Sequence, residues 1–343
     1  MVVCDQWLGS NGYAGLKALR RAGWAVSVVP EREFIPLQWR STIARALGRA
    51  LRPLAVDEFN EELQRQVIRH EPEFLLVFKG TFVKHDTLAA IRNSGVRTYC
   101  FFPDVSVHCH GKYLPHALPA YDWIFTTKRF GIRDLREQLN IKSASVLMHA
   151  YDPDVHRPAA LSPSDRRRYE CDVSFIGTWS PKKEALLSRL AVERPDVRLR
   201  IWGEQWNRAS RRPALAGAIA NHAVIGEEYV HAITASSINL GILAESRIGA
   251  SSGDNITSRT FHIPASGGFM LHERTDELLE IFAEDTSVVC FDDASELIDK
   301  VDQYLPRAER RREIADCGRA IVESHHSWDH RIREILAFHD GER

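Results

Sequence analysis

Short, almost wholly apolar runs separated by helix-length amphipathic patterns constrain the fold of this chain more than any other feature. Phe74–Phe78 (FLLVF), Thr98–Phe102, Trp123–Thr126 and Ser145–Leu147 leave little polar face for water, and Val2–Cys4 and Ala25–Val29 precede them in the same style. Runs of this kind are strands buried on both faces, which a parallel sheet covered by helices provides. Helical spacing fills the gaps. Tyr13–Ala22 turns Leu16 and Leu19 inward and closes at Gly23, and Val56–His70, Asp86–Asn93 and Ile132–Leu139 follow.

The pattern breaks after Leu147. Tyr151–Glu170 carries Pro153, Pro158, Pro163 and the charged run Asp165–Arg168, which reads as a linker. A second series then begins at Val173–Ile176, with a helix over Pro181–Val192. Strands are expected at Leu199–Trp202, Ile238–Leu243, Gly268–Leu271 and Val288–Phe291, and helices through most of Ala294–Phe338. The 343 residues are enough for two domains. The expected fold class is therefore α/β, two doubly wound parallel-sheet domains spanning 1–155 and 156–326. Such sheets bind ligands at the carboxyl ends of their strands, and paired domains do so in a central cleft.

Composition excludes several classes. With 44% hydrophobic and 27% charged residues the chain is globular, and a net charge of −1 gives no global field for nucleic acid. No apolar run approaches the roughly 20 residues of a membrane helix. The N-terminus shows no signal-peptide pattern, and six scattered cysteines form no CxxC, so a reduced, cytoplasmic chain with buried thiols is expected. One stretch, Leu37–Leu54, is basic and amphipathic. Ile43, Leu47 and Leu51 share a face and Arg40, Arg45, Arg49 and Arg52 surround it, a pattern open to peripheral membrane contact as well as to simple solvation.

Asp254–Gly268 (DNITSRTFHIPASGG), after the apolar run Ile238–Leu243, reads as strand, polar loop, helix start and two glycines. A helix N-terminus presents unpaired N–H groups and partial positive charge, and so can hold a diphosphate. Thr257 and Ser258 suit an N-cap, and Arg259 adds a planar cationic fork.

In the order and spacing of its motifs the chain resembles the CgeB-like (spore-maturation type) glycosyltransferases, which are similar to family-four-like GT-B enzymes. The resemblance rests on LGSNGYAGLKALRRAG, PEFLLVFKG, TYCFFPD, YDWIFTTK and HAYDPDVHRP, then on DVSFIGTWSPKKEALL, IWGEQW, SINLGIL, SRTFHIPASGGFMLHERTDEL, CFDDASEL and HSWDHRIREIL. It implies a GT-B fold of two Rossmann-like domains facing a cleft. A nucleotide-sugar donor, UDP-linked by expectation, would sit on the second domain and an acceptor on the first. A last helix near 327–340 would pack back on the first domain. Enzymes of this broad class often carry two glutamates eight positions apart, the first contacting the donor sugar and the second the ribose. Here Asp254 and His262 occupy those positions, and an imidazole can still hydrogen-bond a ribose hydroxyl.

Glycosyl transfer from a nucleoside diphosphate needs cations and helix N-termini aimed at the departing charge, and no metal or other cofactor is expected. Arg259, the amides at Thr257 and Ser258, and Lys182 or Lys183 are the candidates, with Asn255 beside them. Gly177 and Thr178 end a strand where backbone can approach a ligand, and Glu204 and Trp206 lie where a base or ribose would pack. On the acceptor side, Gly9-Ser10-Asn11 follows the first strand, and Asp104, His108 and His110 follow Thr98–Phe102. Asp104 is the candidate base for an acceptor hydroxyl. A metal held by Asp104, His108, Cys109 and His110 is the weaker alternative. The acceptor class stays open among glycan, lipid-linked, protein and small-molecule hydroxyls. A nucleotide-sugar epimerase or hydrolase, or a nonenzymatic binding protein on a degenerate scaffold, are the rival readings.

Overall fold

The computed structural model describes residues 1–35, 42–211 and 213–341. The chain divides into two compact units. The first comprises Met1–Met148, Ser246–Ser252 and Arg331–Arg343, the second His149–Glu245 and Gly253–His330.

The first unit holds a six-stranded parallel sheet of β1 (Val2–Val3), β2 (Val28–Val29), β3 (Phe74–Phe78), β4 (Arg97–Phe102), β5 (Trp123–Thr126) and β6 (Ala144–Val146). Its order is β2-β1-β3-β4-β5-β6. Strand β2 is shorter than its apolar run because β1 offers only Val2 and Val3 as partners. Helix Asn11–Arg21 packs tightly here, since a Cβ on Gly12 would fall 2.5 Å from Cys4 Cβ and one on Gly15 2.4 Å from Phe78 Cζ. Helix Thr42–His70 begins earlier than its apolar spacing predicts, and buries Val56, Phe59, Leu63 and Val67 against the sheet core. Of the basic amphipathic stretch, residues 37–41 lie outside the described residues, while Leu51 and Leu54 are exposed. The end of the last helix belongs to this unit, with Tyr99 Oη and His339 Nδ1 2.8 Å apart.

The second unit holds a five-stranded parallel sheet of β7 (Cys171–Ile176), β8 (Leu199–Trp202), β9 (Ser236–Gly241), β10 (Met270–Glu273) and β11 (Val289–Phe291). Its order is β11-β10-β9-β7-β8. Val173, Phe175, Ile238, Leu240 and Leu271 from its inner strands and Ile201 from the edge strand β8 are buried in one core. Part of the proline-rich stretch read as a linker is a helix, Pro163–Tyr169. Ser162 and Asp165 cap it reciprocally, and Tyr169 anchors it in the interior.

Among the described residues no helix is long and apolar enough to cross a membrane. Cys4, Cys100, Cys171 and Cys290 are buried free thiols, but Cys109 and Cys317 are exposed, against the expectation that all six are buried.

Candidate functional site

In the second unit the carboxyl ends of β10, β9, β7 and β8 lie next to one another, β10 closing on Glu273 and the others leading into Ile242, Gly177 and Gly203. Beyond β9 the chain loops back into the helix Ser258–Ala265, with Thr257 extended at its N-cap. Arg259 in the first turn donates from Nη2 to the Ile242 carbonyl (2.7 Å). Its guanidinium lies over the Phe175 ring, 5.2 Å from the centroid. Its Nε is buried with no hydrogen-bond partner among the described residues. Burial pulls this guanidinium below its ordinary value and the Asp254 and Glu273 carboxylates oppose the pull. Arginine remains a cation through such shifts.

Glycine makes this packing feasible. A Cβ on Gly177 would lie 2.8 Å from Arg259 Nη1 and 2.9 Å from Phe175 Cζ. Gly203 (φ +145°) is tighter still, its absent Cβ falling 2.1 Å from the Gly177 carbonyl oxygen.

The two lysines divide their work. Lys182 Nζ pairs with Glu273 Oε1 at 2.6 Å, and the Lys182 amide donates to Glu245 Oε1 at 2.9 Å. Lys183 is buried, and its Nζ donates to the Thr178 carbonyl at 3.1 Å. Burial would raise the Glu245 carboxyl, but hydrogen bonds from Ser180 and the Lys182 amide hold it below its ordinary value.

At the helix start, the Thr257 amide already donates to Thr260 Oγ1 (3.0 Å), so it is not a donor for an anion as expected. The amides of Ser258 and Arg259 have no acceptor among the described residues, and these are what the first turn offers. Ser258 Oγ sits 3.0 Å from His149 Nδ1. Asn255 Nδ2 donates to Glu277 Oε1 at 2.7 Å. The Asp254 amide donates to the Ala244 carbonyl at 2.9 Å. His262 is buried, with Nε2 3.2 Å from the Ala150 carbonyl. Thr178 and Glu204 are exposed, and the Glu204 carbonyl accepts from the Trp179 amide at 3.0 Å. Trp206 is no platform for a base: it is a core residue whose Nε1 donates to the Gly177 carbonyl at 2.7 Å. Trp179 is the half-exposed indole here, with the Arg208 guanidinium 4.0 Å from its ring centroid.

In the first unit, Ser10 accepts from the Tyr13 amide and donates to the Asp5 carbonyl, both at 3.0 Å, so its hydroxyl caps the helix that Asn11 opens. Gly9 supplies a left-handed turn (φ +90°) just before it. Asp104 Oδ2 lies 2.8 Å from Lys79 Nζ and 3.0 Å from His110 Nε2. Burial would raise this carboxyl, but His110 and Lys79 hold it well below the carboxylate range. A carboxylate so firmly ionised is a weak base. His108 does not join them: it is exposed, with Nε2 2.9 Å from Gln138 Oε1. Among the described residues no group of three or more His, Cys, Asp or Glu is placed to hold a metal ion.

Lys79, His272 and Glu273 are functional candidates that reasoning from sequence misses. Lys79 directly follows FLLVF and takes a left-handed backbone (φ +70°), a conformation that costs a non-glycine residue energy and clusters at functional sites. His272 and Glu273 interrupt an apolar run where a strand ends. A charged residue at the carboxyl end of a buried strand is the signal common to both places.

Two parallel α/β units with their polar constellations at the strand ends define the class: the chain has the GT-B fold. Solved structures match it over nearly its whole length. Sucrose-phosphate synthase from Thermosynechococcus elongatus superposes with a TM-score of 0.69 at 11% identity, covering 99% of this chain and 98% of that one. A glycosyltransferase from Rickettsia africae ESF-5 gives 0.64 at 11%, again over 99% and 98%. Anabaena Alr3699/HepE, solved with UDP-glucose, gives 0.62 at 12% over 98% of each chain. At the level of sequence, residues 180–337 match the family described as glycosyl transferase-like. None of the curated proteins compared with the chain matches it.

Proposed function

We propose that the protein is a metal-independent glycosyltransferase that moves a sugar from a UDP-sugar to an acceptor hydroxyl, of the CgeB-like subtype that its motifs resemble. In the reaction a bond forms between the acceptor oxygen and the anomeric carbon. The bond from that carbon to the β-phosphate oxygen breaks, its electron pair leaves on the diphosphate, and the acceptor's hydroxyl proton passes to an oxygen of that departing diphosphate. The observation that carries the reading is Arg259 held over Phe175 beside the unsatisfied Ser258 and Arg259 amides. A preorganised cation and two N–H donors are what a departing diphosphate needs, and one such donor contributes roughly 3–4 kcal/mol. The glycosyl transferase-like match covers Ser258 and Arg259, and the similar Anabaena protein was solved with UDP-glucose. The acceptor is assigned to the first unit, at the carboxyl ends of β1, β3 and β4. The proposal predicts that UDP binds by calorimetry in the presence of EDTA and that UDP-glucose or another UDP-sugar is turned over. Failure of UDP-, GDP- and dTDP-sugars alike to bind would remove it.

A further inference from the structure

We infer that His272 is a positioning residue for the donor site, fixing the first turn of helix Ser258–Ala265 through Thr260. The inference rests on the donor reading above for its consequence, but not for its geometry.

His272 is fully buried at the end of β10. Its Nδ1 is 2.7 Å from the Glu273 carbonyl oxygen, and its Nε2 is 3.0 Å from Thr260 Oγ1. A carbonyl only accepts, so Nδ1 carries the proton and Nε2 presents its lone pair. The Thr260 hydroxyl must then donate to Nε2, and its oxygen is left to accept from the Thr257 amide, which it does at 3.0 Å. Each donor and acceptor along this line has one available role. The result is a directional chain from the Thr257 amide, through the Thr260 hydroxyl and the His272 ring, to the Glu273 carbonyl.

Space is reserved for the ring as well. A Cβ on Gly241 would fall 2.2 Å from His272 Cδ2, so β9 carries glycine where β10 lays down an imidazole. The neighbouring Glu273 binds Lys182 through one carboxylate oxygen and the Leu243 amide through the other. The His272-Glu273 pair thereby ties three elements around Arg259: the helix start, the loop after β9 and the start of helix Pro181–Glu193. By consuming the Thr257 amide, the chain turns the first turn so that the Ser258 and Arg259 amides remain as donors. A diphosphate bound there gains preorganised donors whose reorientation is already complete.

The test uses UDP as the probe. His272→Phe keeps a ring against Gly241 but can neither donate nor accept, and Thr260→Val is the isosteric break at the other end. Each is expected to weaken UDP binding about tenfold by calorimetry. The double variant should bind no more weakly than either single one, because both cut the same chain. Thr260→Ser and His272→Gln, which retain the required groups, should return to within about threefold of the parent. Additive losses, or His272→Phe binding UDP like the parent, would overturn the inference. Hydrogen exchange over residues 257–260 of the ligand-free protein provides a readout independent of the donor. Exchange at Thr257 should accelerate in His272→Phe, and unchanged protection there sinks the positioning role whether or not UDP binds. Loss of UDP binding by the parent itself, with faster exchange in the variant, would instead overturn the donor reading alone.

Discussion

His262 lies flat against His156, the two imidazoles stacked with centroids 3.8 Å apart and planes 17° from parallel. Both rings are buried, and His262 also approaches the Ala150 carbonyl. A second glutamate of the kind the resemblance implies would put a carboxylate in this place, whereas a neutral ring packs there without charge. The ring at the position that the resemblance links to the ribose packs on His156 and meets the Ala150 carbonyl.

The stack carries a pH dependence. Burial holds the His262 ring well below its ordinary value, and His156 and Arg259 add to the depression. The unfolded chain therefore binds a proton that the native protein refuses, and stability falls as pH drops below about 6.5. The loss attributable to His262 is at most about 1.4 kcal/mol per pH unit. His262→Phe keeps the stack and discards the titration, so its melting temperature should fall less steeply between pH 6.5 and pH 5. Parallel curves for the two proteins would exclude His262 as the source.

Gly177→Ala places a methyl against the far end of Arg259 and the Phe175 ring. The guanidinium is the part that can move, so displacement from the Ile242 carbonyl is expected, with little unfolding. UDP affinity should fall by about tenfold while the melting temperature shifts by only a few degrees. Unchanged affinity would mean that Arg259 does not reach the diphosphate.

Arg259→Lys keeps the charge but loses the planar fork that bonds Ile242 and covers Phe175. If the proposed transfer holds, turnover of the UDP-sugar donor should drop on the order of 100-fold, with Arg259→Ala lower still, and the fold intact by circular dichroism. A rate within threefold of the parent in Arg259→Ala would remove this side chain from catalysis.

Much of this is legible in the sequence, for a specific reason. Phe74–Phe78 and Trp123–Thr126 read to the residue because a strand buried on both faces carries no competing polar pattern. Pro163–Tyr169 does not, because it sinks a single side chain, Tyr169, and its cap lies among prolines. Arg259 is legible as a cation at a helix start, and Gly177 as a glycine after an apolar strand. That they touch is not, because contact between them depends on β7 and β9 being neighbours in the sheet. Lys79 and His272 escape for the same reason. Each resembles ordinary polar punctuation until sheet order brings it to Asp104 or Thr260.

A last expectation concerns the first unit. Glu31 lies at the start of helix Glu31–Phe34, and its Oε1 accepts from the Phe82 amide at 2.6 Å. Burial pushes its carboxyl up to about 7, with Asp5 adding to the rise and the Phe82 amide and Lys79 opposing it. The sign follows from the two states. Below about 4.5 the carboxyl is protonated whether folded or not, and contributes nothing to the pH dependence. Between there and about 7 the native protein keeps a proton that the unfolded chain has released, so stability declines as pH rises. Above that the penalty is complete, at about 3 kcal/mol. Glu31→Gln retains an oxygen for the Phe82 amide and has no charge to bury. It should melt several degrees above the parent at pH 8 and within about one degree of it at pH 4.5. An equal gap at both pH values would show that the substitution acts through packing and that Glu31 is not the titrating group.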